Sequence, residues 1–305
     1  MIWHQQSGWI EEDLCLLGHA DVPVYLLHLG RDQYALIEGG ICVDAELIWQ
    51  QLLERVTPGQ IRYWLITHKH YDHCGAAAVL MPRLPEARLL VSPETWLAWQ
   101  SESCRRLITR LNAELDTAGE MRSQICMHLH QLPHQLVSPG TRFIAETGRV
   151  FEMLPAPGHS DDSIAWYDPE RQRLFAADAV GEYDPDNRNW RPLIFDHAPD
   201  YLATLASWKD LPVRQLIPGH GGCLTAQDKH AIMPGIWRDC ARFIAQYQSL
   251  DQKEQRKTAE DLHQRWRAQS QRFVSADLHF ASMHRMLQQV AIFNLHSQKD
   301  YPNHV

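Results

Sequence analysis

The chain has 305 residues, 45% hydrophobic and 22% charged, with a formal net charge of −8 at pH 7. That length buries a sizeable core in one large or two small domains, and the acidic balance argues against a general nucleic-acid binder, which needs a basic footprint. No apolar run approaches the roughly 20 residues of a membrane span.

The opening MIWHQQSGWIEEDLCLL has no cationic start followed by an apolar stretch, so it is not read as a secretory leader. Seven scattered cysteines without a CxxC pair suit a reducing cytoplasm.

In chain order, VPVYLLHLG (22–30) and QYALIEGGIC (33–42) are predicted strands, joined by a turn at Gly30, Arg31 and Asp32. DAELIWQQLLERV (44–56) has apolar residues at helical spacing, and Asp44 is placed to cap it. IRYWLITH (61–68) is an apolar strand that runs into THKHYDHCG (67–75), and GAAAVLM (75–81) starts a helix directly after it. Helical spacing returns from PETWLAWQ (93–100) to about Leu115, with Arg105, Arg106 and Arg110 on a solvated face. CMHLHQLPH (126–134) holds Cys126, His128, His130 and His134 but no carboxylate, and reads as a surface loop rather than a second metal site.

Further strands are predicted in RVFEMLPAPGH (149–159), SIAWYD (163–168), RLFAADAV (173–180) and QLIPGHGG (215–222). After Thr225 the pattern turns helical and polar. Strands feeding short helices, followed by a helical tail, indicate a layered α/β domain with a C-terminal helical addition. The division is a catalytic domain over 1–225 and an extension over 226–305 that packs over the active site.

His68, His70, Asp72 and His73 form an HxHxDH pattern. Imidazole and carboxylate ligands suit zinc, iron or manganese rather than copper(I). Four ligands do not complete two sites, so further ones are required at strand ends. His159 in APGHSDD, Asp178 in FAADAV and His220 in IPGHGG supply them, each beside a glycine or another small residue. One division gives His68, His70 and His159 to a first divalent ion and Asp72, His73 and His220 to a second, with Asp178 bridging. Cys74 falls outside this set and reads as a small packed thiol.

THKHYDHCG together with PGHSDD, AADAVGE and IPGHGG resembles the metallo-β-lactamase superfamily, which implies an αβ/βα sandwich with the metals at one open edge. Within it, EDLCLLG (12–18), ALIEGGI (35–41), WRPLIFD (190–196) and LHFASMHRML (278–287) resemble the thioesterases of alkylquinolone signal biosynthesis. That resemblance implies hydrolysis of 2-aminobenzoylacetyl-CoA, an acyl-CoA substrate, on two divalent ions with iron favoured over zinc or manganese. It implies catalytic parts for Asp72, Asp178 and Glu182, and an aromatic-walled pocket lined by Tyr71, Leu193, Phe195, Ser270, Phe273, His279 and Ser282.

It also implies a homodimer and contact with a LuxR-type transcriptional regulator. The corresponding stretch WRDCARFIAQYQ (237–248) keeps Arg242 but has Ala245 and Gln246 where the relatives carry further arginines. Acyl-homoserine lactonases and glyoxalase-II-type thioesterases share all the metal ligands, and the tail motif sets the quinolone enzymes apart. The acidic balance and the lack of a long apolar run lead to no nucleic-acid or membrane partner being expected.

Overall fold

The computed structural model describes residues 1–116 and 122–300. Two mixed sheets face each other. The first runs Gly8–Glu11, Leu14–Leu17, Val24–Gly30, Gln33–Ile37, Ile61–Leu65, Arg88–Val91 and His134–Leu136, antiparallel at its start and parallel from Gln33–Ile37 onward. The second runs Ile2–His4, Cys223–Thr225, Gln215–Pro218, Arg173–Ala177, Ile164–Asp168, Val150–Pro155 and Arg142–Ile144.

The period of two along a strand decides where each side chain goes. Leu14 and Leu16 turn into the layer between the sheets, while Cys15 and Leu17 turn outward under helices. Tyr63 and Leu65 face inward and Trp64 outward in the same way. Because both faces of these strands are buried, they read as continuous apolar runs.

The outer face of the first sheet is covered by helices α1 (Ala45–Leu53), α2 (Gly75–Leu80), α3 (Pro93–Gln100) and α4 (Glu102–Leu115). The outer face of the second is covered by α5 (Ala198–Ser207), α6 (Ile232–Tyr247), α7 (Gln252–Ser270) and α8 (Ala276–Asp300). This four-layer order is the αβ/βα sandwich that the resemblance implies. No helix among the described residues is long and apolar enough to cross a membrane.

Several local expectations change. Asp44 precedes α1 but its carboxylate does not cap it; Arg272 takes that carboxylate at 2.8 Å. The helical stretch 93–115 is two helices, broken at Ser101, which has extended backbone. Arg105 is not on a solvated face; it is buried and donates to the Gln100 carbonyl at 2.8 Å. Arg106 and Arg110 stay exposed and face Glu102 and Glu114.

The stretch 126–134 is more than a surface loop. Cys126 and Leu129 are fully buried, and the Cys126 sulfur lies 3.4 Å from that of Cys42. His128 and His134 remain exposed, and no metal-binding group forms there among the described residues. Cys74 is buried and belongs to no metal-binding group among the described residues.

The two ends of the sandwich differ in kind. At one end Asp13, Arg149, Asp168, Arg173 and Gln215 form a buried ionic network across both sheets, with Arg173 fully enclosed. At the other end the strands leading to residues 38, 66, 156, 178 and 219 release the loops that carry the histidines.

Candidate metal centre

Strand Ile61–Leu65 ends in an extended segment, and a single 3-10 turn over Tyr71–His73 folds the HxHxDH stretch back on itself. Gly75 is needed directly after it. A Cβ there would lie 2.7 Å from the Asn112 side-chain oxygen and 2.9 Å from the Cys42 nitrogen. Asn112 is the brace of the loop, accepting from the Cys42 N–H at 2.9 Å and donating to the Tyr71 carbonyl at 3.1 Å.

All seven sequence-predicted metal residues converge in two groups, one of His68, His70, His159 and Asp178 and one of Asp72, His73 and His220. In the first, His70 Nδ1 lies 3.1 Å from His68 Nε2 and 2.9 Å from His159 Nε2, and His159 Nε2 is 3.2 Å from Asp178 Oδ2. In the second, Asp178 Oδ1 is 3.5 Å from His73 Nε2 and 3.4 Å from His220 Nε2. Asp72 Oδ2 stands 3.8 and 3.7 Å from the same two nitrogens. Asp178 thus presents one oxygen to each group. It follows Ala177, a non-glycine residue at φ +46°, so the backbone is held in a costly conformation to aim this carboxylate.

A set of partners that sequence reasoning missed fixes the rings. His73 Nδ1 meets Glu38 at 2.6 Å, His159 Nδ1 meets the Leu193 carbonyl at 2.8 Å, and His220 Nδ1 meets the Asp21 carbonyl at 2.6 Å. His68 Nδ1 faces the Thr67 hydroxyl at 3.2 Å. With the outer nitrogen engaged, the inner one is left to a ligand, the arrangement that tunes metal-bound histidines. Glu38 is itself buried, at φ +66°, and accepts from Thr67 at 3.2 Å. Asp162 of the GHSDD motif braces the loop from outside, accepting from the Lys69 N–H, Thr95 and Ser160, each at 2.7 Å.

The electrostatics divide the histidines. Burial drives His68 well below its ordinary pKa and takes His70 and His159 down to about 4. Burial opposes the charged form of His73 and His220 too, but Asp178 above all overcomes it, lifting His73 well up and His220 to about 9. Asp178 is held well below the carboxylate range because His73, His220 and His159 outweigh its own desolvation. Even so, among the described residues His73 Nε2 and Asp178 Oδ1 are buried without a hydrogen-bond partner. Inward-facing nitrogens, a shared carboxylate and two orphaned polar atoms at the centre fit divalent cations, which replace the protons in the same carboxylate field.

Beside the centre lies a cavity of about 260 Å³ that contains all seven predicted pocket residues, Tyr71, Leu193, Phe195, Ser270, Phe273, His279 and Ser282. Leu107, Arg110 and Leu278 also line it. Glu182 reaches it from the hairpin of Glu182–Asp184 and Asn189–Arg191, held by Arg191 Nε at 2.8 Å. Phe273 stacks on His220 with ring centroids 4.4 Å apart and interplanar angle 10°. Its carbonyl accepts from the Tyr71 hydroxyl at 2.5 Å. Arg272 fastens this turn to Asp21 at 2.5 and 2.8 Å and to Asp44 at 2.8 Å. The C-terminal helices therefore roof the histidine loops. Burial, with His263 3.0 Å away, pushes His279 down to about 4 against the pull of Glu182.

A family model described as Metallo-beta-lactamase superfamily matches residues 17–220. The uncharacterized protein YobT of Bacillus subtilis is 27% identical over 119 residues, 39% of this chain and 46% of that one. A beta-lactamase-like protein 2 homolog of Caenorhabditis elegans is 22% identical over 214 residues, 68% of this chain and 60% of its own. The match thus spans less than two thirds of either relative. Among solved structures, the metallo-beta-lactamase family protein TTHA1429 from Thermus thermophilus is similar with a TM-score of 0.60 at 19% identity, covering 94% of this chain and 95% of that one. At that identity the likeness is one of fold.

Proposed function

From the premise that this chain belongs to the metallo-β-lactamase superfamily, we propose that it is a metal-dependent hydrolase of an aromatic acyl thioester, with 2-aminobenzoylacetyl-CoA as the substrate. The observation that carries the reading is the placing of Asp178 between two histidine groups, directly beside a small cavity with phenylalanine walls. Phe195 and Phe273 suit an aromatic ring, and Ser270 and Ser282 offer hydroxyls to its amino and carbonyl groups. The Ser270 hydroxyl is buried and has no partner among the described residues.

His68, His70, His159 and Asp178 would hold one divalent ion, and Asp72, His73 and His220 with Asp178 the other, with iron favoured. Such a pair supplies a positive charge that polarises a carbonyl and brings a bound water toward ionisation at neutral pH. Asp72, at the cavity wall, would accept the proton that the attacking water loses. Arg191 holds the Glu182 carboxylate against the cavity, and the neutral His279 ring binds rather than protonates, since its pKa lies near 4.

In the reaction, the water oxygen bonds to the acyl carbon, the carbon–sulfur bond breaks, and the sulfur leaves with its electron pair to be protonated by solvent. A thiol of pKa about 8.5 departs without a strong general acid, whereas an amine would need one. Beyond the residues that would hold the ions, the motif offers no obvious separate acid, which favours thioesters over amides.

The test is thiol release from 2-aminobenzoylacetyl-CoA by metal-loaded protein, alongside acyl-homoserine lactone and S-lactoylglutathione. Faster opening of the lactone, or no thiol released by folded, loaded protein, removes the proposal. The same resemblance carries self-association, whereas Ala245 and Gln246 in α6, standing where the relatives carry arginines, weigh against a LuxR-type regulator contact. Co-purification with the cognate regulator tests it.

A further inference from the structure

A second cavity, of about 340 Å³, opens on the other side of the same centre and shares Glu182 and His220 with the first. We propose that it is the subsite for the leaving group, and that it recognises an amide-bearing thiol chain, the pantetheine arm of an acyl-CoA, while leaving the nucleotide in solvent. The inference rests on the thioesterase reading above and adds where the sulfur side of the substrate lies.

The partition between the two cavities is built and fixed. Gln269 and Ser270 are consecutive, yet Gln269 faces the outer cavity and Ser270 the inner one. The turn that follows is latched through Arg272 and Phe273 and cannot swing aside without breaking those contacts. A ligand that occupies both cavities must therefore cross at Glu182 and His220, which brings the bond between its two halves to the centre. The inner cavity, at about 260 Å³, falls below the range that encloses a drug-sized ligand, so an acyl-CoA has to extend beyond it.

The lining of the outer cavity selects the chain. Trp3 and Tyr183 form an aromatic floor with centroids 5.3 Å apart, backed by Trp190 at 6.1 Å from Trp3. Over that floor stand two amide side chains, Gln5 and Gln269, each able to donate and accept as a secondary amide requires. Among the described residues the Gln269 side chain makes no hydrogen bond, and that of Gln5 makes one long bond, 3.3 Å to the Gly221 carbonyl. The charges of the wall are already matched. Arg191 gives Nε and Nη2 to Glu182, its Nη1 being buried, and Asp21 is committed to Arg272. With no uncommitted cation among the described lining residues, phosphate groups find no partner there.

The experiment compares thioesters of one aromatic acyl group with ethanethiol, N-acetylcysteamine, pantetheine and CoA on the metal-loaded enzyme. The expected result is a kcat/KM that rises about tenfold or more from the ethyl to the pantetheine thioester and is flat from pantetheine to CoA. Trp3→Ala and Gln269→Ala should each lose several-fold on the pantetheine thioester through KM, with the ethyl thioester unchanged. Equal rates across all four thiols, or equal losses on all substrates in both variants, overturn the subsite. A rise from pantetheine to CoA overturns the exclusion of the nucleotide.

Saturation-transfer NMR with a pantetheine thioether that cannot be hydrolysed reads the subsite without turnover. Binding weakened in Gln269→Ala supports it, and unchanged binding in both variants sinks it. Absence of hydrolysis alongside intact, variant-sensitive binding would instead refute the hydrolase reading alone.

Discussion

Gly219 offers the sharpest perturbation of the centre. A Cβ added there would lie 2.1 Å from Asp178 Oδ1 and 2.8 Å from His73 Cε1, where ordinary contact begins at 3.4 Å. Gly219→Ala therefore forces the shared carboxylate back by about 1.3 Å, the difference between 3.4 and 2.1 Å. It cannot retreat freely, because Oδ2 is engaged with His159 at 3.2 Å and the preceding residue is already strained. A displacement of that size at a reacting centre costs on the order of 10²-fold in rate. Disturbed metal support costs about 10–100-fold in affinity.

The assay is metal content per chain after dialysis against a buffered divalent ion, with thioester turnover as a second readout. Gly148→Ala is the control. At φ +95° it carries backbone strain of about 1–2 kcal/mol, yet its Cβ meets nothing within 4 Å. It should lower the melting midpoint and leave metal content alone. A Gly219→Ala protein with wild-type metal content and turnover would refute the shared role assigned to Asp178.

Three further outcomes are expected. Burial raises the Asp13 carboxyl, but Arg173 and then Arg149 overcome this and hold it at about 2 instead of 3.8. A depressed carboxylate contributes stability that is full above its unfolded pKa and lost as pH falls through the folded one. Urea titrations between pH 5 and 2 should therefore show a loss of about 1–2 kcal/mol, discounted for partial screening, that Asp13→Asn abolishes. Arg272→Ala leaves Asp44 buried with one oxygen already unpartnered, which should cost about 1–3 kcal/mol by urea denaturation, and Asp44→Asn should recover part of it in the double variant. Chelation should lower the melting midpoint and readdition of a divalent ion restore it, since an ion at about 1,000 times its Kd adds roughly 4 kcal/mol; a midpoint indifferent to complete metal removal would count against the centre.

The seven convergent residues could be found in the sequence because each sits in a compact motif at a strand end, where a glycine or small neighbour marks the bend. Their supports could not. Glu38 lies 35 residues before His73 in an ordinary apolar segment, and the carbonyls of Leu193 and Asp21 carry no side-chain signature at all. Ile2–His4, Arg88–Val91, His134–Leu136, Arg142–Ile144 and Cys223–Thr225 were hidden because three or four residues are too few to show alternation. Asp44 misled for a different reason. An acid before a helix is a good local cap, but Arg272 from 228 residues away competes for it and wins. Arg105 shows the same override, a charged side chain drawn inward to satisfy the carbonyls left at the end of α3.

The latch at Arg272 has a temporal side. His220, the last of the seven, leaves the ribosome 52 residues ahead of Arg272, an interval of roughly 3–10 s at ordinary elongation rates. Any folding of the histidine loops within that interval proceeds without the turn that Arg272 ties to Asp21 and Asp44.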